Sequence, residues 1–293
     1  MERELKILEL ADYYEKFEVG NSSAYLIINK KLEDYPCMFG FVNLSENLTD
    51  AKKLFCNLEN RAKELGYQKI VGPMNYCSWM SYRWTTDNYD LKLFPDCNNP
   101  PYYNDIVKQL GYSPLYTYRS AVIDMNNPLY AMGEAIYKKK LDEGFSFRFY
   151  HGEEALSLAE EVFAISKDAF RDAYLYSDIP DEYFTKIYMS WIKQVDVAIY
   201  VAYYKNKPVG YAMGYANPYS NHFISKTTAV KKAFQKNKLY VALLYLGYDY
   251  VSKMGYSDII YHFQCEQKDM FRRFDSTVES NEKRYAVYKK ELL

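Results

Sequence analysis

Residues 226–263, KTTAVKKAFQKNKLYVALLYLGYDYVSKMGYSDIIYHF, spell out strand, basic loop, helix, turn and strand in one run. Residues 227–230 are a short β-prone stretch. Leu239–Met254 is helix-length, with Leu239, Leu243, Leu246, Tyr250 and Met254 at the three-to-four spacing of a buried face. Gly255 stands where a helix C-cap belongs, and residues 258–263 leave the turn as a second strand through Ile259, Ile260, Tyr261 and Phe263. Between the first strand and the helix lies KKAFQKNK, residues 231–238. Lysines and the unpaired N–H groups of a helix start converge there, which favours an anion such as a pyrophosphate.

The charge pattern around this loop points the same way. From Val197 to Tyr248 the chain has no Asp or Glu, although it carries 38 acids in all. Lys205, Lys207, Lys226, Lys231, Lys232, Lys236 and Lys238 fall inside that window. A solvated lysine face is the alternative to an anion site, and the placement at a strand-to-helix turn favours the site.

With 293 residues, 49% of them hydrophobic, the chain can bury two ordinary domains. A net charge of −1 argues against a protein whose main partner is nucleic acid, because phosphate-backbone binding needs a broad basic surface. The five cysteines, Cys37, Cys56, Cys77, Cys97 and Cys265, form no C-x-x-C pair, and the three histidines, His151, His222 and His262, are scattered. Neither a disulfide framework nor a metal site is expected. The N-terminus is charged and no apolar stretch reaches membrane-spanning length, so the expectation is a cytoplasmic protein with no membrane partner.

Earlier in the chain, residues 23–28 and 37–43 read as strands, and residues 49–65 as a helix with Leu54, Leu58, Ala62 and Leu65 on one face and Thr49 or Asp50 as N-cap. Sliding the sequence on itself by 189 positions places Leu54 on Leu243, Gly66 on Gly255, Tyr67 on Tyr256, Ile70 on Ile259 and Val71 on Ile260 without a gap. That register is an internal duplication of helix, turn and strand. Under it, Lys236 and Lys238 fall on Asn47 and Thr49, with Glu46 and Asp50 beside them. The first copy therefore repels the phosphates that the second attracts.

Residues 72–84, GPMNYCSWMSYRW, form a dense aromatic loop. A plug between the two halves is the commoner role of such residues, and a substrate pocket is the alternative. In the second half, residues 153–170 and 181–191 read as helices. Residues 197–204 and 209–215 read as a hairpin turning at residues 205–208, and 284–288 as a last strand.

This order of elements resembles the GNAT superfamily of acyl-CoA N-acyltransferases. There the loop reads valine, then Arg/Gln-x-x-Gly-x-Gly/Ala, then an apolar helix; here Val230 is followed by Gln235, Lys236, Asn237, Lys238, Leu239 and Tyr240. Nearly the whole chain is similar to bacterial tandem GNAT-like proteins with a GPMN-type aromatic loop and an N-x-P-x-Y-Y helix, matched by residues 72–75 and 98–103. Two departures stand out. Lys238 and Tyr240 replace the family glycines, which let backbone amides approach a pyrophosphate. The helix expected at 266–274 has Phe271 and Phe274 where the family often carries a tyrosine acid.

The resemblance implies an α/β (α+β) fold of two tandem GNAT-like domains, each a mixed, mostly antiparallel sheet flanked by helices. Residues 1–126 would be a degenerate copy and 127–293 the copy with the CoA site. It implies an N-acyltransferase that uses acetyl-CoA or another acyl-CoA and a small amine or amino-acid-like acceptor. Val230 and residues Gln235, Lys236, Asn237, Lys238, Leu239 and Tyr240 would hold the cofactor, and Glu266, just past the second repeat strand, is the candidate base. An exposed Glu that only favours a helix dipole is the alternative for Glu266. A GNAT fold that binds without catalysing is the alternative for the whole chain.

Overall fold

The computed structural model describes residues 5–123, 128–256, 258–268 and 282–292. Its first unit opens with a single 3-10 turn, Lys6–Leu10, followed by an antiparallel meander of β1 (Tyr13–Val19), β2 (Ser22–Ile28) and β3 (Cys37–Asn43). Helix α1 (Leu48–Glu64) leads to β4 (Lys69–Gly72), which lies parallel to β3 through Met38 and Val71. After β5 (Trp84–Thr85) come α2 (Tyr102–Gln109) and β6 (Ser113–Ile123).

The second unit repeats this plan. Helix α3 (Pro128–Asp142), β7 (Phe145–His151) and α4 (Ala159–Phe170) precede a meander of β8 (Val197–Tyr204), β9 (Lys207–Ala216) and β10 (His222–Val230). Helix α5 (Leu239–Met254) then returns the chain to β11 (Asp258–Cys265), parallel to β10. Strand β12 (Glu282–Glu291) is the last element.

The duplicated helix and strand take the same places in both units. Leu54 and Leu243 are fully buried, and Gly66 and Gly255 both close their helices in the left-handed region at φ 86° and 75°, a conformation that glycine adopts without strain. Ile70, Ile259, Val71 and Ile260 are buried as well, each side chain being worth about 2 kcal/mol of hydrophobic stabilisation.

The final strand of each unit has crossed over. The order is β1-β2-β3-β4-β12-β6-β11-β10-β9-β8-β7, so β12, from the end of the chain, pairs with β4 while β6 pairs with β11. The two exchanged strands pair with each other over Glu282–Ala121 to Lys289–Ser113. Tyr285, Val287 and Tyr288 of β12 are fully buried by this arrangement. A cut at 126/127 falls between β6 and α3, within the segment 124–127 that lies outside the described residues.

Local differences from the sequence reading have simple causes. Residues 5–18, which carry no clear pattern, are the 3-10 turn and edge strand β1, whose exposed face carries Tyr14, Lys16 and Glu18. Helix α1 is capped by Asn47, whose side chain accepts from the amides of Thr49 and Asp50, so neither of those is the cap. The stretch 153–170 is broken into Glu153–Leu156 and α4. The hairpin turn at Lys205 and Asn206 has both residues at positive φ, 50° and 62°, the geometry that keeps the twist of the flanking strands. Of the helix expected at 266–274, Glu266–Lys268 is a 3-10 turn and the remainder, with Phe271 and Phe274, lies outside the described residues.

The aromatic loop packs between the units. Trp79 meets Phe163 of α4 edge-on at 5.5 Å and Phe184 at 5.6 Å. Trp84 packs against Tyr103 and Tyr288 within the first unit's core.

Candidate functional site

Strands β10 and β11 run side by side from His222–Asp258 to Ser225–Tyr261 and then part. Beyond a bulge at Ser225/Thr227, β10 continues against β9, while β11, after its own irregularity between Tyr261 and Gln264, continues against β6. Side chains cannot close the wedge between two diverging strands. A cleft of about 390 Å³ fills it, with Thr227, Thr228 and Val230 on one wall and His262 and Gln264 on the other. Gln235 and Tyr240, from the loop and the first turn of α5, close one end.

The loop itself is held from both sides. The Lys232 amide donates to Asp168 Oδ2 of α4 at 2.6 Å, and the Lys232 ammonium pairs with Asp172. Gln235 Nε2 donates to the Val230 carbonyl at 3.0 Å, and the Leu239 amide donates to Asn237 Oδ1 at 3.1 Å. Lys238, at φ 63°, is the left-handed residue that admits the chain into α5. A glycine of the family pattern is thus replaced by a lysine in a conformation that glycine favours. Lys236 and Lys238 are exposed; the Leu239 side chain is fully buried against Leu243. Of the residues expected to hold the cofactor, Val230, Gln235 and Tyr240 border the cleft. Glu266 lies past the end of β11, outside the cleft wall, with its carboxylate 4.0 Å from Arg284 Nε.

Lys226 of the acid-free window lines the cleft, and Arg83 of the aromatic loop stands next to it, a meeting that sequence patterning did not single out. Lys226, half-buried at the β10 bulge, stands 5.2 Å from the centre of the Phe263 ring. Burial, and then the Arg83 charge, push its ammonium down to about 7. Arg83 reaches the same ring from the aromatic loop, with its guanidinium carbon 4.0 Å from the centre of Phe263, 3.8 Å from that of Tyr82 and 4.4 Å from that of Tyr118. Arg83 and Phe263 are both at positive φ, 71° and 57°. Backbone in that region is costly for bulky residues and collects at functional sites.

His262 is buried and neutral. Burial first, then the charges of Lys226 and Arg83, hold it well below the usual imidazole range. Its Nε2 donates to the Pro95 carbonyl at 2.9 Å, so Nδ1 is the acceptor facing Ser120 Oγ at 2.8 Å. Ser120 Oγ is also 3.1 Å from Tyr285 Oη. The imidazole is therefore a fixed structural member of the wall. Neither Lys226, Arg83 nor Gln264 belongs to a local motif; only the tertiary fold brings loop 72–84 to β10 and β11.

Among the described residues no group of three or more His, Cys, Asp or Glu is gathered for a metal ion, and no helix is long and apolar enough to cross a membrane.

No protein-family model matches the chain, and no curated protein matches it. Solved structures do resemble it. A tandem GNAT protein from the clavulanic acid biosynthesis pathway aligns over 100% of this chain and 88% of its own, with a TM-score of 0.53 at 10% identity. A GCN5-related N-acetyltransferase from Sphaerobacter thermophilus aligns over 93% of this chain and 77% of its own, with a TM-score of 0.49 at 10% identity. L-PGS from Bacillus licheniformis aligns over 98% and 90%, with a TM-score of 0.44 at 12% identity. The duplicated meander, helix and parallel strand, together with the full-length likeness to the first of these structures, show that the chain has a tandem GNAT-like fold.

Proposed function

We propose that the chain transfers an acyl group from acyl-CoA, in the first instance acetyl-CoA, to the amine of a small acceptor. The observation that carries this reading is the cleft between the diverging strands β10 and β11, which opens beside the start of α5. In direct transfer the acceptor nitrogen forms a bond to the thioester carbon, the carbon–sulfur bond breaks, and the thiolate leaves with a proton. The loop 235–240 would take the CoA phosphates, with Lys236 and Lys238 supplying charge and Val230, Gln235 and Tyr240 lining the arm of the cofactor. Residues 127–293 form the cofactor-binding unit in this reading and residues 1–126 the acceptor side. Glu266 is the proposed base, and Glu266→Gln is expected to lower kcat with little change in KM for acetyl-CoA.

Calorimetry with acetyl-CoA, followed by turnover against a panel of small amines, tests the proposal. The expected result is one acetyl-CoA per chain and acetylation of at least one amine class. No binding at millimolar acetyl-CoA would end it. One observation favours a second reading, a GNAT fold that binds without catalysing. Asp168 and Asp172 already engage the amide and ammonium of Lys232 and reduce the loop's positive charge. CoA binding without turnover of any amine would select that reading.

A further inference from the structure

We propose that the cleft is a recognition site for an amino acid, with Lys226 facing its carboxylate, Gln264 bridging its carboxylate and amine, and Arg83 adding positive charge from the neighbouring aromatic loop. The identity of this ligand as the acyl acceptor rests on the function proposed above; the site itself does not.

Three observations meet at this place. First, among the described residues neither Arg83 nor Lys226 has a carboxylate within salt-bridge distance, although they share the Phe263 ring. Among the described residues Asp96 is paired with the buried Lys283 at 2.5 Å and Glu282 with Arg119 at 2.6 Å. Two cations set around one ring with no carboxylate between them favour an anion in the cleft beside Lys226. Second, among the described residues both terminal atoms of Gln264 are buried with no hydrogen-bond partner, and so is Arg83 Nη1. Gln264 lines the cleft, so a ligand there meets one amide donor and one amide acceptor. Third, the Arg83 backbone sits in a costly conformation that aims its guanidinium into a cage of Tyr82, Tyr118 and Phe263. Such a cage holds the guanidinium still, so that its charge acts on Lys226 from a fixed position.

A carboxylate alone would satisfy Lys226 and the Gln264 N–H₂, but would leave Gln264 Oε1 without a donor. A ligand with an N–H beside its carboxylate satisfies all three groups, and an amino acid is the smallest such molecule. The remaining neighbours offer the anion no competing charge. Cys97 is a thiol pushed up to about 12, His262 is neutral, the Tyr261 and Tyr285 phenols are raised well above 10, and α4 and α5 present Ala169, Phe170, Tyr240 and Leu244.

Lys226 also supplies a signature. Free, it titrates at about 7; beside a carboxylate its charged form is favoured, so binding above that pH draws a proton from solution. At pH 8 the uptake should approach roughly one proton per ligand, and at pH 6 it should be small.

The test is calorimetry on the full chain with each common amino acid, its carboxamide and its decarboxylated amine, in buffers of different ionisation enthalpy. Turnover with acetyl-CoA and with succinyl-CoA is measured in parallel. At least one amino acid should bind about tenfold or more tighter than its amide and amine, the weight of a charge-assisted hydrogen bond, and with proton uptake at pH 8. In Lys226→Met the uptake should vanish. In both Lys226→Met and Gln264→Leu the acid-to-amide ratio should fall toward unity, a ratio that cancels any general loss of cofactor binding. Equal binding of acids and amides, or ratios unchanged in both variants, would overturn the site. So would acid selectivity found only in the donor, as succinyl-CoA over acetyl-CoA. Amino-acid binding without acetyl-CoA binding would instead remove the acyltransferase reading and leave the site standing.

Discussion

The backbone amide of Lys232 donates to the carboxylate of Asp168 at 2.6 Å, fastening the β10–α5 loop to α4. Along the sequence the loop belongs to a window without acids, and in space an acid from an earlier helix is its first partner. Replacing Asp168 by Ala should cost about 1–3 kcal/mol, as for a backbone donor that loses a charged acceptor. It should also strengthen CoA binding by removing a negative charge beside the phosphates. Thermal unfolding and calorimetry read the two effects, and unchanged CoA affinity would count against a phosphate site on this loop.

The exposed lysines of the loop give the complementary experiment. Lys236→Glu combined with Lys238→Glu should abolish CoA binding while Tm stays within a few degrees, because exposed charge changes cost little stability. If the double variant binds CoA like the parent, the phosphates lie elsewhere.

Lys226 should make stability depend on pH in a defined direction. Its folded pKa, about 7, lies below the ordinary value of 10.5. Between these limits the unfolded chain holds more protons, so stability rises with pH across the window. Below it the penalty of the buried cation is fully present; above 10.5 it is gone. Lys226→Met should therefore stabilise the protein at pH 6 and do so less at pH 10. Urea titrations at the two values decide the matter: an equal gain at both would mean the ammonium is not desolvated.

Exchange of the last strands should make the halves interdependent. Residues 1–126 without β12 leave β4 with an open edge and lack the buried Tyr285 and Tyr288, so that fragment should show no cooperative unfolding transition on its own. Co-expression with residues 127–293 should restore a stable complex. A cooperative transition in the isolated first fragment would contradict this.

The buried hydroxyl of Tyr288 donates to Asn104 Oδ1 at 2.7 Å, joining β12 to α2. Tyr288→Phe should cost about 1 kcal/mol in urea unfolding, the usual weight of such a bond. A neutral substitution would show that Asn104 finds another donor.

The sequence by itself determined the repeated unit. Helix periodicity, the Gly66 and Gly255 caps and the apolar runs 70–71 and 259–260 are local signals, because one helix face and one strand must be apolar wherever they pack. The strand, loop and helix at 226–254 were legible for the same reason, and so was the likeness to the GNAT pattern. Tertiary structure alone decided the rest. Which strand follows β4 depends on partners more than a hundred residues away, and local periodicity does not report such pairings. The acids beside the basic loop are not its sequence neighbours, since Asp168 and Asp172 reach Lys232 through the packing of α4. Arg83, Lys226 and Gln264 share no spacing; a left-handed Arg83, a bulge at Lys226 and a left-handed Phe263 bring them together. Charge and hydrogen-bonding capacity belong to single residues, but the lack of partners among the described residues that makes Lys226 and Gln264 a candidate site is a property of the fold.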